Sequence, residues 1–222
     1  MPALNEELAI EKTLLEIPLD ARIVVIDNGS TDNTAEIARK NGAIVLHEPR
    51  RGYGYACLAG INYLRKLQEP PNIVIFLDAD GADDPQGIKR LLKIKTSSNS
   101  PDIIMGSRLG QLDAGAMTSH SIIANKFFTR LIRIIYHVKL FDMGPLRIMD
   151  FKTLLDINMR DTGYGWTSEM IVKAIRKGYT IGEIPVPYRV RLGESKISGS
   201  VLVSLRAMIW IIIHIFRHSV RR

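Results

Sequence analysis

The stretch RIVVIDNGSTDNTAEIARKNGAIVL, residues 22–46, decides the fold. Residues 22–26 are an apolar run that stops at Asp27, and the turn-forming residues Asn28, Gly29 and Ser30 follow. Residues 33–40 read as a helix, and 43–46 as a second apolar run. The same order recurs downstream, with apolar runs at 73–77 and 103–105 and helical segments at 54–67 and 85–94. Strands alternating with helices predict an α/β fold built on a mostly parallel sheet with helices on both faces. In such sheets ligands bind at the carboxyl ends of the strands. Two strands here end in acid: Ile26 runs into Asp27, and Leu77 into Asp78-Ala79-Asp80.

After residue 110 the rhythm stops. Residues 121–138 (SIIANKFFTRLIRIIYHV) suit an amphipathic helix, 140–146 are irregular, 166–177 read as a helix and 180–186 as a strand. A basic loop at 188–198 precedes the apolar segment 201–216, whose uninterrupted core at 207–213 is shorter than the roughly 20 residues that span a bilayer. An interfacial helix is expected there, with a core helix or a homo-oligomer contact as the alternative. The expected organisation is one domain over 1–199 and an amphipathic, membrane-associated helix over 200–222.

The chain has 222 residues, 46% hydrophobic and 24% charged, which excludes disordered and collagen-like classes. Its net charge of +7 points toward phosphorylated partners or an anionic membrane surface. Cys57 is the only cysteine, so neither an intrachain disulfide nor a cysteine-rich zinc site can form. The N-terminus lacks a basic segment followed by an apolar core, so a secretory signal is not expected. The cytoplasmic side of the membrane is the expected location.

Asp78 and Asp80, at i and i+2 where a strand gives way to a turn, can converge on one hard cation such as Mg²⁺ or Mn²⁺. Such a cation would stabilise a departing pyrophosphate. The plainer alternative is a turn at Asp80-Gly81, with Asp83 or Asp84 capping the helix after Pro85. For Asp83 and Asp84 capping is the better reading; for Asp78 and Asp80, metal. Ser30 or Asp32 can cap the next helix, while Asp27 at its strand tip could accept from a nucleobase N–H. The loop around Arg50, Arg51, Gly52 and Gly54 could approach a phosphate or sugar, or be merely solvated.

In order and rough spacing, Pro2-Ala-Leu-Asn-Glu-Glu7, Asp27-Asn-Gly-Ser-Thr-Asp32, Arg51-Gly-Tyr-Gly54, Asp78-Ala-Asp80 and Gly106-Ser-Arg108 resemble family 2 glycosyltransferases of the GT-A fold. Asp142-Met-Gly-Pro-Leu-Arg147, Trp166-Thr-Ser-Glu-Met170, Glu183-Ile-Pro-Val186 and the run from Arg189 to Lys196 look like the branch with dolichol-phosphate mannose synthases and polyprenyl-phosphate glycosyltransferases. The resemblance implies an inverting, metal-dependent transfer of a hexose from a UDP- or GDP-sugar to a polyprenyl phosphate, at a membrane surface and without nucleic acid. It implies that Pro2, Ala3, Asn5, Glu7, Asp27, Arg51, Gly54, Asp78, Ala79, Asp80 and Arg108 bind the nucleotide sugar, with Asp27 reading the base. Asp78 and Asp80 would hold Mg²⁺ or Mn²⁺. Arg108, Arg147, Arg189, Ser195 and Lys196 would contact acceptor or donor phosphates, and Asp80, Glu169, Arg189 and Lys196 would be catalytic.

Glu169 falls at the position of a carboxylate proposed as general base, although it could simply pair with Lys173 at i+4. An ionised lipid phosphate would need no strong base, whereas a hydroxyl acceptor would. The resemblance also implies a complete strand ahead of Pro2, so the first strand is expected to be truncated. The alternatives are the same fold with a soluble or glycan hydroxyl acceptor, and a catalytically weak member acting as a binding subunit.

Overall fold

The computed structural model describes residues 1–18, 20–193 and 212 of the chain. Ser195, Lys196 and, apart from residue 212, the expected C-terminal helix therefore lie outside the described residues. Strands β1 (Pro2–Ala3), β2 (Val24–Asp27) and β3 (Ile44–His47) form a parallel sheet in that order, in register Ala3 to Asp27 to His47. The stretch 22–46 folds as its residues dictate. Gly29 takes φ +82 in the turn, a conformation open to a residue without Cβ. Helix α2 (Thr34–Lys40) starts where Asp32 Oδ1 accepts from Thr34 N (3.0 Å) and Glu7 Oε2 from Asn33 N (3.1 Å), satisfying amides that the helix leaves open. Helix α1 (Ile10–Leu15), too short to reveal a period, buries Ile10 and Leu14 beside Ala38 and Val25.

β1 is two residues long. The α-amino group of Met1 donates to Val24 O (2.9 Å), and burial pushes its pKa below the ordinary value. It stands in an apolar cleft of about 400 Å³ between β2 and β4 (Ile73–Phe76), lined by Val24, Ile26, Ile73 and Ile75 among others.

The second sheet has the order β4-β6-β5-β7, with β5 at Ile103–Ser107, β6 at Arg147–Asp150 and β7 at Ile181–Pro185. β7 is parallel to β5, but β6 runs antiparallel to both neighbours and so departs from a purely parallel arrangement. Its four residues carry charge at both ends, and no apolar run announces a strand. The reversal matters for function. Arg147 enters β6 opposite Phe76 and Met105, at the end of the sheet where β4 delivers Asp78.

β5 is buried along its whole length and alternates between two cores. Ile103 and Met105 meet Phe128 and Ile132 of α5 (Ser119–Tyr136) and Trp166 and Met170 of α7 (Trp166–Arg176). Ile104 turns the other way, to Ile88 and Leu91 of α4 (Gly87–Lys95). Each such side chain contributes roughly 1.5–3 kcal/mol of burial. α3 (Tyr53–Arg65) and α6 (Phe151–Ile157) complete the helical layers. No described helix is long and apolar enough to cross a membrane.

α4 starts at Gly87, not directly after Pro85. Asp84 Oδ1 accepts from Gln86 N (2.9 Å), the residue before the helix, but no side chain caps α4 itself. Asp83 is 1% exposed, and neither carboxylate oxygen has a hydrogen-bond partner. Burial, then the charges of Asp78 and Asp80, push its pKa well above the ordinary carboxylate range.

Candidate active site

The tip of β4 separates two cavities. The larger, about 700 Å³, is lined by Pro2, Ala3 and Leu4 from β1 and its exit, by Glu6 and Asn28, by Arg51, Tyr53 and Tyr55 around the start of α3, and by residues 161–164. The smaller, about 450 Å³, is lined by Arg108, Arg147, Trp166, Thr167 and Tyr188 together with Thr118 and Ser121 at the start of α5. Tyr53, Asp78, Asp80, Tyr164 and Arg191 line both. The two carboxylates therefore stand at the junction.

Each of the pair is held differently. Tyr53 Oη donates to Asp78 Oδ1 (2.9 Å), and burial followed by the charge of Asp80 raises the Asp78 pKa to about 6. Asp80 Oδ1 accepts from Ala82 N (3.0 Å) across the turn at Gly81, which has φ +74. Asp80 Oδ2 faces Arg191 Nη1 at 3.3 Å. Two hard oxygen donors next to a cavity, with a guanidinium already balancing one of them, fit a divalent cation that completes its shell with water and phosphate oxygens. Among the described residues no group of three or more His, Cys, Asp or Glu gathers into a protein-only metal cage.

Other expected residues are brought near the site, most of them in contacts that shape its surroundings. Asp27 is 5% exposed; its Oδ1 accepts from Ser30 N (3.0 Å), its Oδ2 meets His47 Nδ1 (3.1 Å), and it lines neither cavity. Asn5, at φ 52, accepts from Thr31 N (2.8 Å), and Glu7 binds Asn33, so both tie the β1 exit to the start of α2. Gly54 has no room for a side chain, since a Cβ would lie 2.2 Å from Asp161 O. That close approach seats the 161–164 wall on α3, where Tyr55 N also donates to Thr162 O (3.2 Å). Arg51 lines the larger cavity and donates to Gly29 O (3.2 Å).

Three expected residues make contacts that the sequence did not indicate. Glu169 is 2% exposed and lines neither cavity; it accepts from Arg160 N (3.0 Å) and Asp161 N (2.7 Å) and pairs with Lys173 Nζ (2.6 Å). Its carboxylate anchors the loop that leads into the 161–164 wall and also makes the i+4 pair with Lys173. Arg189 also lines neither cavity, because Glu16 (2.6 Å) and Asp84 (3.0 Å) hold its guanidinium. The arginine at Asp80 is Arg191, two residues on. Arg108 lines the smaller cavity, but its Nε and Nη2 form a bidentate pair with the fully buried Asp142 (3.0 and 2.6 Å).

Arg147 is 1% exposed, donates from Nε to Gly144 O (2.9 Å) and from Nη2 to Thr167 Oγ1 (2.6 Å), and forms part of the smaller cavity's wall. Glu6, Asn28 and Tyr53 lie inside the quoted motifs without an assigned role, and Tyr55 and residues 161–164 lie outside them. Asn28 had a local signal, its place between Asp27 and Gly29. Its side chain donates to Glu48 O and Arg50 O and accepts from Gly52 N, which shapes the loop before α3.

Comparison with known proteins adds four findings. The model of Glycosyl transferase family 2 matches residues 1–157. The chain is 33% identical over 216 residues to an uncharacterized glycosyltransferase of Mycobacterium tuberculosis, covering 94% of this chain and 93% of the relative. It is 31% identical over 201 residues to the dolichyl-phosphate hexose transferase of Haloferax volcanii, covering 89% and 84%. Among solved structures, glucosyl-3-phosphoglycerate synthase from Mycobacterium tuberculosis, in complex with Mn²⁺, UDP and phosphoglyceric acid, superposes with a TM-score of 0.77. It spans 100% of this chain and 77% of that one, at 18% identity, a likeness of fold.

Proposed function

The chain belongs to glycosyl transferase family 2, and we propose that it moves a hexose from a UDP- or GDP-sugar to a polyprenyl phosphate with inversion. The observation that carries this reading is the pair of cavities meeting at Asp78 and Asp80. The larger, beside Pro2, Ala3, Asn28 and Arg51, takes the nucleotide; the smaller, beside Arg147 and the start of α5, takes the acceptor phosphate. A donor bridging the junction presents its anomeric carbon to attack from the side opposite the leaving diphosphate. A single displacement there inverts the anomeric centre.

The acid–base inventory supports a phosphate acceptor. Among the described residues lining the smaller cavity, the only carboxylates are Asp78 and Asp80, and no histidine is present. A hydroxyl acceptor would need a base there, whereas a phosphate oxygen is already ionised at neutral pH and needs only positioning. The relative named for dolichyl-phosphate agrees with this choice. Asp78 and Asp80 would hold Mg²⁺ or Mn²⁺, whose chemistry is to neutralise charge on the departing diphosphate. Tyr53 fixes the orientation of Asp78, and Arg147 orients the acceptor phosphate.

The face of α5 supports contact with a membrane surface. Ile123 (68% exposed), Phe127 and Ile134 project outward beside the exposed Lys126, Arg130 and Arg133, and the helix contains no acidic residue. That mixture suits an anionic lipid surface, and the start of the same helix lines the acceptor cavity. The reading is tested by assaying labelled UDP- and GDP-hexoses against a short polyprenyl phosphate, phosphoglycerate and a free sugar. Label in the lipid product alone is expected. Transfer only to a hydroxyl acceptor would replace this reading with the soluble-acceptor one.

A further inference from the structure

We propose that Arg191 is a ligand of the donor diphosphate, stored on Asp80 until a divalent cation displaces it. The inference rests on reading Asp78 and Asp80 as the cation-binding pair. Arg191 Nη2 contacts Glu6 Oε1 at 2.9 Å and Nη1 contacts Asp80 Oδ2 at 3.3 Å, while Nε is buried without a hydrogen-bond partner. Its side chain forms part of both cavity walls. Arg189, by contrast, is held by Glu16 and Asp84 away from both.

The main chain around Arg191 is fixed to the same turn that presents Asp80. Leu192 N donates to Asp80 O (3.1 Å), Arg189 N donates to Ala82 O (2.8 Å), and Tyr188 bridges antiparallel to Asp83. The guanidinium can therefore leave Asp80 by side-chain rotation about its Glu6 contact, with no change of backbone. A cation arriving on Asp80 takes over the carboxylate charge and repels the guanidinium. The displaced group faces the larger cavity with a planar fork suited to phosphate oxygens.

A specific coupling follows. Without nucleotide, the cation and Arg191 compete for Asp80, so cation binding is weakened. With a nucleoside diphosphate present, the displaced guanidinium gains an acceptor, and nucleotide and cation reinforce each other beyond their direct contact. The reinforcement is reciprocal, because each ligand changes the other's affinity by the same factor.

Mn²⁺ binding to the full chain is to be measured by electron paramagnetic resonance, alone and with UDP or GDP, for wild type, Arg191→Gln, Arg191→Lys and Asp80→Asn. Arg191→Gln is expected to tighten Mn²⁺ alone by about 3-fold or more and to cut the enhancement by the better nucleotide by about tenfold. Arg191→Lys, which keeps the charge and loses the fork, is expected to fall between and carries the test if the glutamine variant does not fold. An enhancement unchanged in both variants overturns the inference while leaving the metal pair standing. Wild-type Mn²⁺ binding that is absent, or indifferent to Asp80→Asn, overturns the metal reading and this inference with it.

Discussion

Tyr53 Oη lies 2.9 Å from Asp78 Oδ1 and donates to it, joining the first turn of α3 to the tip of β4. Tyr53 belongs to the wall of both cavities, and its bond sets the direction of a carboxylate at their junction. Tyr53→Phe removes the donor and keeps the ring. We expect nucleotide binding in the presence of Mn²⁺ to weaken by about tenfold, matching one hydrogen bond of roughly 1–1.5 kcal/mol. Calorimetry gives the affinity, and a melting temperature within a few degrees of wild type separates this from unfolding.

Asp78 has a folded pKa of about 6 against an ordinary 3.8, through burial and then the Asp80 charge. The sign follows from linkage. Its stabilising contribution is complete below about pH 3.8 and is lost as the pH rises through about 6. Asp78→Asn removes a cost of about 3 kcal/mol at pH 8. Without metal, the variant should melt several degrees above wild type at pH 8 and no higher at pH 4, as followed by circular dichroism. A wild-type advantage at pH 8 would contradict the assignment.

Glu169→Gln should act on the fold and on the cavity wall, not on proton transfer. Lys173, with 15% side-chain exposure, loses its carboxylate partner, at a cost of about 3 kcal/mol. Loosening of the 160–164 segment should raise the KM for the donor, while the pH profile of kcat keeps its wild-type shape. Loss of the acidic limb of that profile would instead mark Glu169 as the base.

Replacing Ile123, Phe127 and Ile134 together by serine should abolish most sedimentation with anionic liposomes. Little of the fold should be lost, since all three are exposed. Raising the salt should weaken the wild-type interaction through Lys126, Arg130 and Arg133. Unchanged sedimentation would remove α5 from the membrane contact.

The stretch 22–46 could be read from sequence because each of its boundaries carries its own local chemistry: a strand closed by Asp27, a turn at Gly29, and Asp32 at the start of α2. Asp78 and Asp80 were legible for a similar reason, since an apolar strand ends on them. The remainder depends on partners distant in sequence. Arg189 and Arg191 look alike in sequence, yet Glu16 and Asp84 take one while Glu6 and Asp80 take the other. The wall at 161–164 exists because Gly54 lacks a Cβ where Asp161 O approaches, a constraint between residues more than a hundred positions apart. Glu169 was singled out by family position, while its contacts with Arg160 N, Asp161 N and Lys173 depend on burial that the sequence does not show. β6 and α6 were missed because segments of four and seven residues show too little periodicity.

The account stands on Asp78 and Asp80 as the metal-dependent donor site at the tip of β4. The direct test is the binding of UDP and GDP, with and without Mn²⁺, to wild type and to the double variant Asp78→Ala, Asp80→Ala. Wild type should bind one of the nucleotides at least about tenfold more tightly with Mn²⁺, and the double variant should lose that enhancement. Mn²⁺-dependent binding that survives in the double variant would contradict the account.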